Sequence, residues 1–92
     1  MAITKCQRVI FEMFINKSVD GNNNICGKKI YILRKGMNIS QKKLADLLQI
    51  YGLDMDKNAV QRIEAGKRFV TDIELLAFSS IFKVKMEELV TA

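Results

Sequence analysis

The sequence contains no proline, no histidine and no tryptophan, and it has only five glycines and two cysteines among 92 residues. Because proline and glycine normally mark the turns of folds built from strands, their scarcity favours helices joined by short connections. Without histidine, the chain lacks the usual general base of enzymes and a common ligand of structural zinc. We therefore expect an all-α protein that is not an enzyme and that needs no metal or cofactor.

No stretch of the sequence approaches the ~20 consecutive apolar residues of a membrane span. The apolar run at residues 9–15 is interrupted by Glu12 and is not followed by a small-residue cleavage site, so it does not resemble a signal peptide. Cys6 and Cys26 are too few for a disulfide framework, and they are expected to be ordinary buried thiols. These features predict a cytoplasmic protein without a membrane partner.

The length of the chain allows one domain with a modest core and at most one appended segment. Its net charge of +5 is unevenly distributed, since residues 24–69 carry +6 and the remainder sums to −1. Positive charge concentrated in the middle of a chain indicates an anionic partner such as nucleic acid, although a charged surface is also typical of a merely solvated face.

An apolar block occupies residues 1–19, and the polar run at residues 20–24 separates it from the rest of the chain. We therefore divide the chain into an apolar extension with an asparagine-rich linker, residues 1–23, and a helical domain, residues 24–92. The spacing of the apolar residues in the block fits either a helix or a strand. These side chains need a partner, which is either a second copy of the chain or the helical domain itself.

The pattern of apolar residues in the domain predicts five short helices. Their expected positions are residues 25–35, 40–52, 57–65, 71–82 and 85–90. Asn24 is the expected N-cap of the first helix, and Gly36 is expected to end it in the left-handed conformation.

The later helices carry clearer end signals. Ser40 and Asp56 are typical N-cap residues, and Gly66 is a typical left-handed stop. Thr71 followed three residues later by Glu74 matches the capping box.

The third predicted helix has an unusual polar face. Lys57, Asn58, Gln61 and Arg62 share that face at helical spacing, while Val60 and Ile63 point the other way. Asparagine and glutamine fit the paired donor and acceptor of adenine, and arginine or lysine fits the acceptors of guanine. Such a helix can lie in a major groove, although the same face alone is also typical of a solvated surface.

The order of several motifs resembles the helix-turn-helix domain of phage repressors and of the xenobiotic-response-element, or Cro-type, regulators. The family typically reads Ser-Gln-x-x-Leu-Ala, then a turn, then Ile/Val-x-x-Ile-Glu-x-Gly. This sequence has SQKKLA at residues 40–45 and VQRIEAG at residues 60–66. The motifs at residues 27–35 and 84–89 are similar to the family's first and last helices. The resemblance covers about residues 24–90 and implies a compact five-helix, lambda-repressor-like DNA-binding bundle.

The resemblance implies a role for each matching position. Base edges would be contacted by Lys57, Asn58 and Gln61, and Arg62 would reach a base or a phosphate. Gln41 would hold a phosphate and brace the third helix. Further phosphate contacts would come from Lys42, Lys43, Lys67 and Arg68. The implied function is that of a transcriptional regulator, a repressor, which binds double-stranded DNA as a homodimer.

The sequence departs from the family pattern in two places. About five additional residues separate Ala45 from Glu64, which predicts a second helix longer by a turn, with Met55 filling the core position of a valine. Lys83 stands where the family commonly has glycine, which predicts a different conformation for that connection.

Two other interpretations of the sequence are weaker. The same bundle could serve an antitoxin or adaptor that binds a protein partner through the apolar block. Asp54-x-Asp56-x-Asn58 imitates the start of a calcium loop, but Ala59 replaces the required glycine and Ala65 replaces the bidentate glutamate. A calcium site is therefore not expected.

Overall fold

The structure, a computed structural model, describes residues 21–91. The described residues form five helices and no strand: α1 (Gly27–Gly36), α2 (Gln41–Ile50), α3 (Lys57–Glu64), α4 (Asp72–Phe82) and α5 (Met86–Val90). The predicted all-α class and the count of five helices are confirmed. The expectations for Cys6 and for the apolar block at residues 1–19 lie outside the described residues.

One apolar core joins all five helices. α3 packs against α1 and α2, α4 packs against the same two helices, and α5 packs against α4. The buried core consists of Cys26, Ile30, Leu44, Ala45, Leu48, Met55, Val60, Ile63, Ala77, Phe78, Ile81, Phe82 and Leu89. Met55 is therefore in the core, as predicted from the additional residues between α2 and α3. Within residues 21–91, no helix is long and apolar enough to span a membrane.

Side-chain caps begin three of the helices as the sequence predicts. Ser40 Oγ accepts a hydrogen bond from the Lys43 amide at 3.0 Å, and Asp56 Oδ1 accepts one from the Ala59 amide at 2.8 Å. Thr71 and Glu74 form the predicted capping box at the start of α4. These bonds satisfy amides that have no partner inside their helices.

The two predictions for the ends of α1 are wrong in position. Gly36 does not end α1 in the left-handed conformation; Asn38 has the positive φ of 57°, and asparagine adopts that conformation more readily than most residues. Asn24 is not the N-cap, which is Cys26. The Asn24 side chain nevertheless accepts a hydrogen bond from the Gly27 amide at 2.9 Å, because the chain turns before the helix begins.

Left-handed glycines follow α2 and α3. Gly52 has a φ of 85° and Gly66 has a φ of 77°, so the predicted stop at Gly66 is confirmed. After α3, the Gly66 amide donates to the Ile63 carbonyl and the Lys67 amide donates to the Arg62 carbonyl. This pair of bonds is the Schellman motif, which satisfies the last carbonyls of a helix.

Lys83 takes the left-handed conformation that a glycine would favour. Its φ is 56° and its ψ is 44°, and it is the residue that ends α4. The connection between α4 and α5 therefore keeps a left-handed residue, contrary to the expectation of a different conformation. A side chain with a Cβ is disfavoured in this conformation by about 1–2 kcal/mol.

We predict that Lys83→Gly raises the free energy of unfolding by about 0.5–1 kcal/mol, because the relief of steric strain exceeds the added entropy of the unfolded chain. Chemical denaturation measures the change. Lys83→Ala is the matched control, since it removes the same charge and keeps the Cβ. Equal stability of the two variants would contradict the assignment of strain to this position.

Candidate nucleic-acid interface

The short helix α3 is amphipathic, with its apolar side in the core. Val60 and Ile63 have no exposed surface. The exposed side of α3 carries the four residues that the sequence predicts as base contacts: Lys57, Asn58, Gln61 and Arg62. The structure therefore brings these donors and acceptors together on one outward-facing surface.

A buried ion pair holds α3 against α1. Arg34 Nε donates to Glu64 Oε2 at 2.6 Å, and Arg34 Nη2 donates to Glu64 Oε1 at 3.1 Å. The two side chains are only 8% and 5% exposed. Arg34 Nη1 also donates to the Ile39 carbonyl at 2.9 Å. Hydrogen bonding to Glu64 raises the pKa of the Arg34 guanidinium above its ordinary value, so this group stays charged.

Gln41 joins this ion pair from the first turn of α2. Its Nε2 donates to Glu64 Oε1 at 3.1 Å. The Glu64 carboxylate on α3 thus accepts hydrogen bonds from side chains on both α1 and α2. This contact supplies the bracing that the resemblance implies for Gln41, and it fixes α3 relative to the two helices that support it.

The exposed face of α3 carries almost no carboxylate group. Glu64 turns inward to its buried partners, and Asp56 is engaged as the N-cap. Asp54 is exposed, but it precedes the helix. The face is therefore dominated by amide and cationic groups.

Three of the expected phosphate contacts are exposed lysines: Lys42, Lys43 and Lys67. Lys42 is also 3.4 Å from Asp46 in an exposed pair, which is worth little in water. Lys42 and Lys43 lie in the first turn of α2, which contains no acidic residue. An open polar hollow of about 460 Å³ lies next to this turn, lined by Arg34, Lys35, Asn38, Ile39, Ser40 and Gln41.

Arg68 differs from the three exposed lysines. Its Nη1 donates to both oxygens of Glu74, at 3.1 and 3.3 Å, and to the Phe69 carbonyl at 3.2 Å. Because Glu74 also closes the capping box of α4, Arg68 connects the segment after α3 to the start of α4. This structural contact was not predicted from the sequence.

The pairing of Arg34 with Glu64 was not predicted from the sequence either. The two residues lie 30 positions apart, and each is a common surface residue type. The available signal was the position of Glu64 directly after the buried Ile63, at the end of the helix.

Cys26 is a buried thiol, as expected, and burial raises its pKa to about 11. It therefore remains protonated at neutral pH and has no place in the site.

Comparison with known families agrees with this geometry. The helix-turn-helix family model matches residues 30–89, which is more than half of the chain. The chain belongs to the helix-turn-helix family. It is a DNA-binding regulator of the Cro and xenobiotic-response-element type, and the matched span includes α2 and α3. No curated protein and no solved structure matches the chain.

We predict that Glu64→Gln in this helix-turn-helix domain lowers the free energy of unfolding by roughly 3 kcal/mol or more, because it leaves the Arg34 charge buried without its partner. Thermal or chemical unfolding measures the loss. Asp46→Asn is the control: it breaks the exposed pair with Lys42 and is expected to cost less than about 0.5 kcal/mol.

The double variant Arg34→Met/Glu64→Leu removes both buried charges. It is expected to be more stable than Glu64→Gln, because no unpaired charge remains. If Glu64→Gln and Asp46→Asn lower the free energy of unfolding by the same amount, the buried ion pair does not hold α3 in place.

Proposed function

We propose that this protein is a sequence-specific transcriptional regulator, a repressor, which inserts α3 into the major groove of DNA as a homodimer. The observation that carries the proposal is the outward face of α3, where four side chains able to read bases are exposed and the apolar residues behind them are fully buried. Membership of the helix-turn-helix family supports DNA binding in general.

The chemistry of the exposed face suits direct readout. Asn58 and Gln61 each present a donor and an acceptor, the combination that pairs with the N7 and N6 groups of adenine. Lys57 and Arg62 can donate to the N7 and O6 acceptors of guanine. A rigid support makes such contacts selective, because a displaced side chain leaves a base edge unpaired.

Phosphate contacts would flank this face. The start of α2 combines helix amides, the exposed Lys42 and Lys43, and the open hollow beside Gln41. Helix amino ends attract phosphate because their amides and the helix dipole are positive. On the other side, Lys67 extends into solvent after α3. We assign the contact there mainly to Lys67, because the guanidinium of Arg68 is engaged by Glu74.

We infer a homodimer because the proposed DNA-contacting surface of one copy is small. A helix of eight residues reaches only a few base pairs, and one such contact is weak. Two copies on half-sites about 34 Å apart combine their binding energies. A selection of bound duplexes from a random library is therefore expected to return a short motif repeated in inverted orientation.

We predict that Asn58→Ala and Gln61→Ala reduce discrimination at single base pairs of the selected duplex by about 1–3 kcal/mol.

Lys67→Ala is expected to weaken binding to all duplexes alike and to reduce the slope of log affinity against log salt by about one. Titrations of selected and scrambled duplexes at several salt concentrations measure both effects.

Each group of variants is the control for the other, because all three variants replace an exposed side chain with alanine. An Asn58→Ala variant that loses equal affinity for selected and scrambled duplexes would overturn the role of Asn58 in base readout. A Lys67→Ala variant that changes sequence preference would overturn its assignment as a phosphate contact.

A second candidate function is a protein-binding module, such as an antitoxin or adaptor. Ile73 and Leu76 lie one turn apart on α4 and are 67% and 57% exposed, so the helix presents two neighbouring apolar side chains that a protein partner would cover. Failure of the full chain to shift any duplex at low salt would favour this alternative over the regulator.

A further inference from the structure

The asparagine run before α1 binds the backbone after α3. The Asn23 amide donates to the Gly66 carbonyl at 2.8 Å, and Asn23 Nδ2 donates to the Lys67 carbonyl at 2.8 Å. Asn24 Nδ2 donates to the Arg68 carbonyl at 2.8 Å and to the Ile63 carbonyl at 3.0 Å. Three consecutive carbonyls, those of residues 66–68, are thus held from one side.

These bonds lie at the carboxyl end of α3, where they hold the backbone that follows the helix. Helix carbonyls near the carboxyl end have no partner inside the helix, and α3 has only eight residues. The Schellman bonds after Gly66 satisfy two of these groups, and the asparagines fix the next stretch of backbone. Asn24 Oδ1 accepts from the Gly27 amide at the same time. One side chain therefore joins the start of α1 to the end of α3.

Close packing leaves little room for this end of α3 to shift. A Cβ at Gly27 would collide with the Ile63 carbonyl oxygen, which belongs to the backbone. A Cβ at Gly66 would come within 2.8–3.1 Å of the Asn22 side chain. Glycine is therefore required at two close contacts. Gly27 lets the start of α1 approach the end of α3, and Gly66 lets the end of α3 approach the asparagine run.

We propose that Asn23 and Asn24 are positioning residues for DNA binding, which hold the backbone of residues 66–68 so that Lys67 is directed at a phosphate. The Lys67 carbonyl accepts from Asn23, whereas the Lys67 side chain is exposed. Fixing the backbone lowers the entropy lost when that side chain binds. This inference rests on the proposed function, and it gives a role to a segment that the sequence alone marks only as a linker.

A double-mutant cycle between Asn23→Ala and Lys67→Ala tests the proposal, with the full chain and a duplex recovered by selection. Asn23→Ala removes the side-chain bond to Lys67 and keeps the backbone bond to Gly66. If Asn23 acts through Lys67, the fold-losses of DNA affinity caused by the two single substitutions do not multiply in the double variant. Lys67→Ala is then expected to cost at least about threefold less affinity in the Asn23→Ala background than in the wild type.

Ser79→Ala provides the matched control. It also removes one side-chain bond to a carbonyl after a helix, the 2.7 Å bond from Ser79 Oγ to the Val84 carbonyl. Lys67→Ala is expected to cost its full amount in that background. Asn24→Ser forms a second arm: the serine hydroxyl can still accept from the Gly27 amide but cannot reproduce both donated bonds, so Lys67→Ala is again expected to cost less affinity in this background than in the wild type. Thermal unfolding confirms that each variant is folded during the titrations.

Equal cost of Lys67→Ala in the wild-type, Asn23→Ala and Ser79→Ala backgrounds would overturn the positioning role and leave the proposed function intact. A wild-type chain that binds no duplex at low salt would instead overturn the proposed function, and the positioning role with it.

Discussion

The buried ion pair between Arg34 and Glu64 is the contact on which the position of α3 depends. An unpaired charge in the core is costly, so neither side chain can leave without destabilising the bundle. Gln41 adds a hydrogen bond to the same carboxylate, so that α1, α2 and α3 meet at one group. The ion pair also turns the only carboxylate of α3 inward, which leaves the outer face to amide and cationic side chains. The same ion pair therefore contributes to the stability of the bundle and determines which side chains the outer face of α3 presents.

The ends of α3 complete this arrangement. Asp56 caps the start, and at the other end Gly66 ends the helix in the left-handed conformation while Asn23 and Asn24 hold the adjoining backbone. A helix of two turns has little stability of its own, so these contacts and the packing of Val60 and Ile63 act together with the ion pair to set its position. Such a helix presents a defined surface only as part of the bundle.

Much of the fold can be predicted from local sequence signals. The caps at Ser40, Asp56 and Thr71, and the stop at Gly66, lie where residue type predicts them, because each depends on neighbouring residues alone. The sequence predicts the left-handed residue after α1 at Gly36 and the structure has it at Asn38, because both residue types suit that conformation and only packing decides between them. The ion pair and the asparagine contacts join residues that are 30 to 44 positions apart. Such pairings depend on tertiary structure, and neither composition nor periodicity contains them.

Base substitution in the DNA tests whether α3 reads base edges from the major groove, as we propose. Replacing single purines of a selected duplex with 7-deaza purines removes the N7 acceptor from the major groove and leaves base pairing intact. We expect affinity to fall at a few purines grouped in each half-site and to be unchanged elsewhere. Binding that tolerates every such replacement would show that the protein contacts only the backbone or the minor groove, and would contradict base readout by α3.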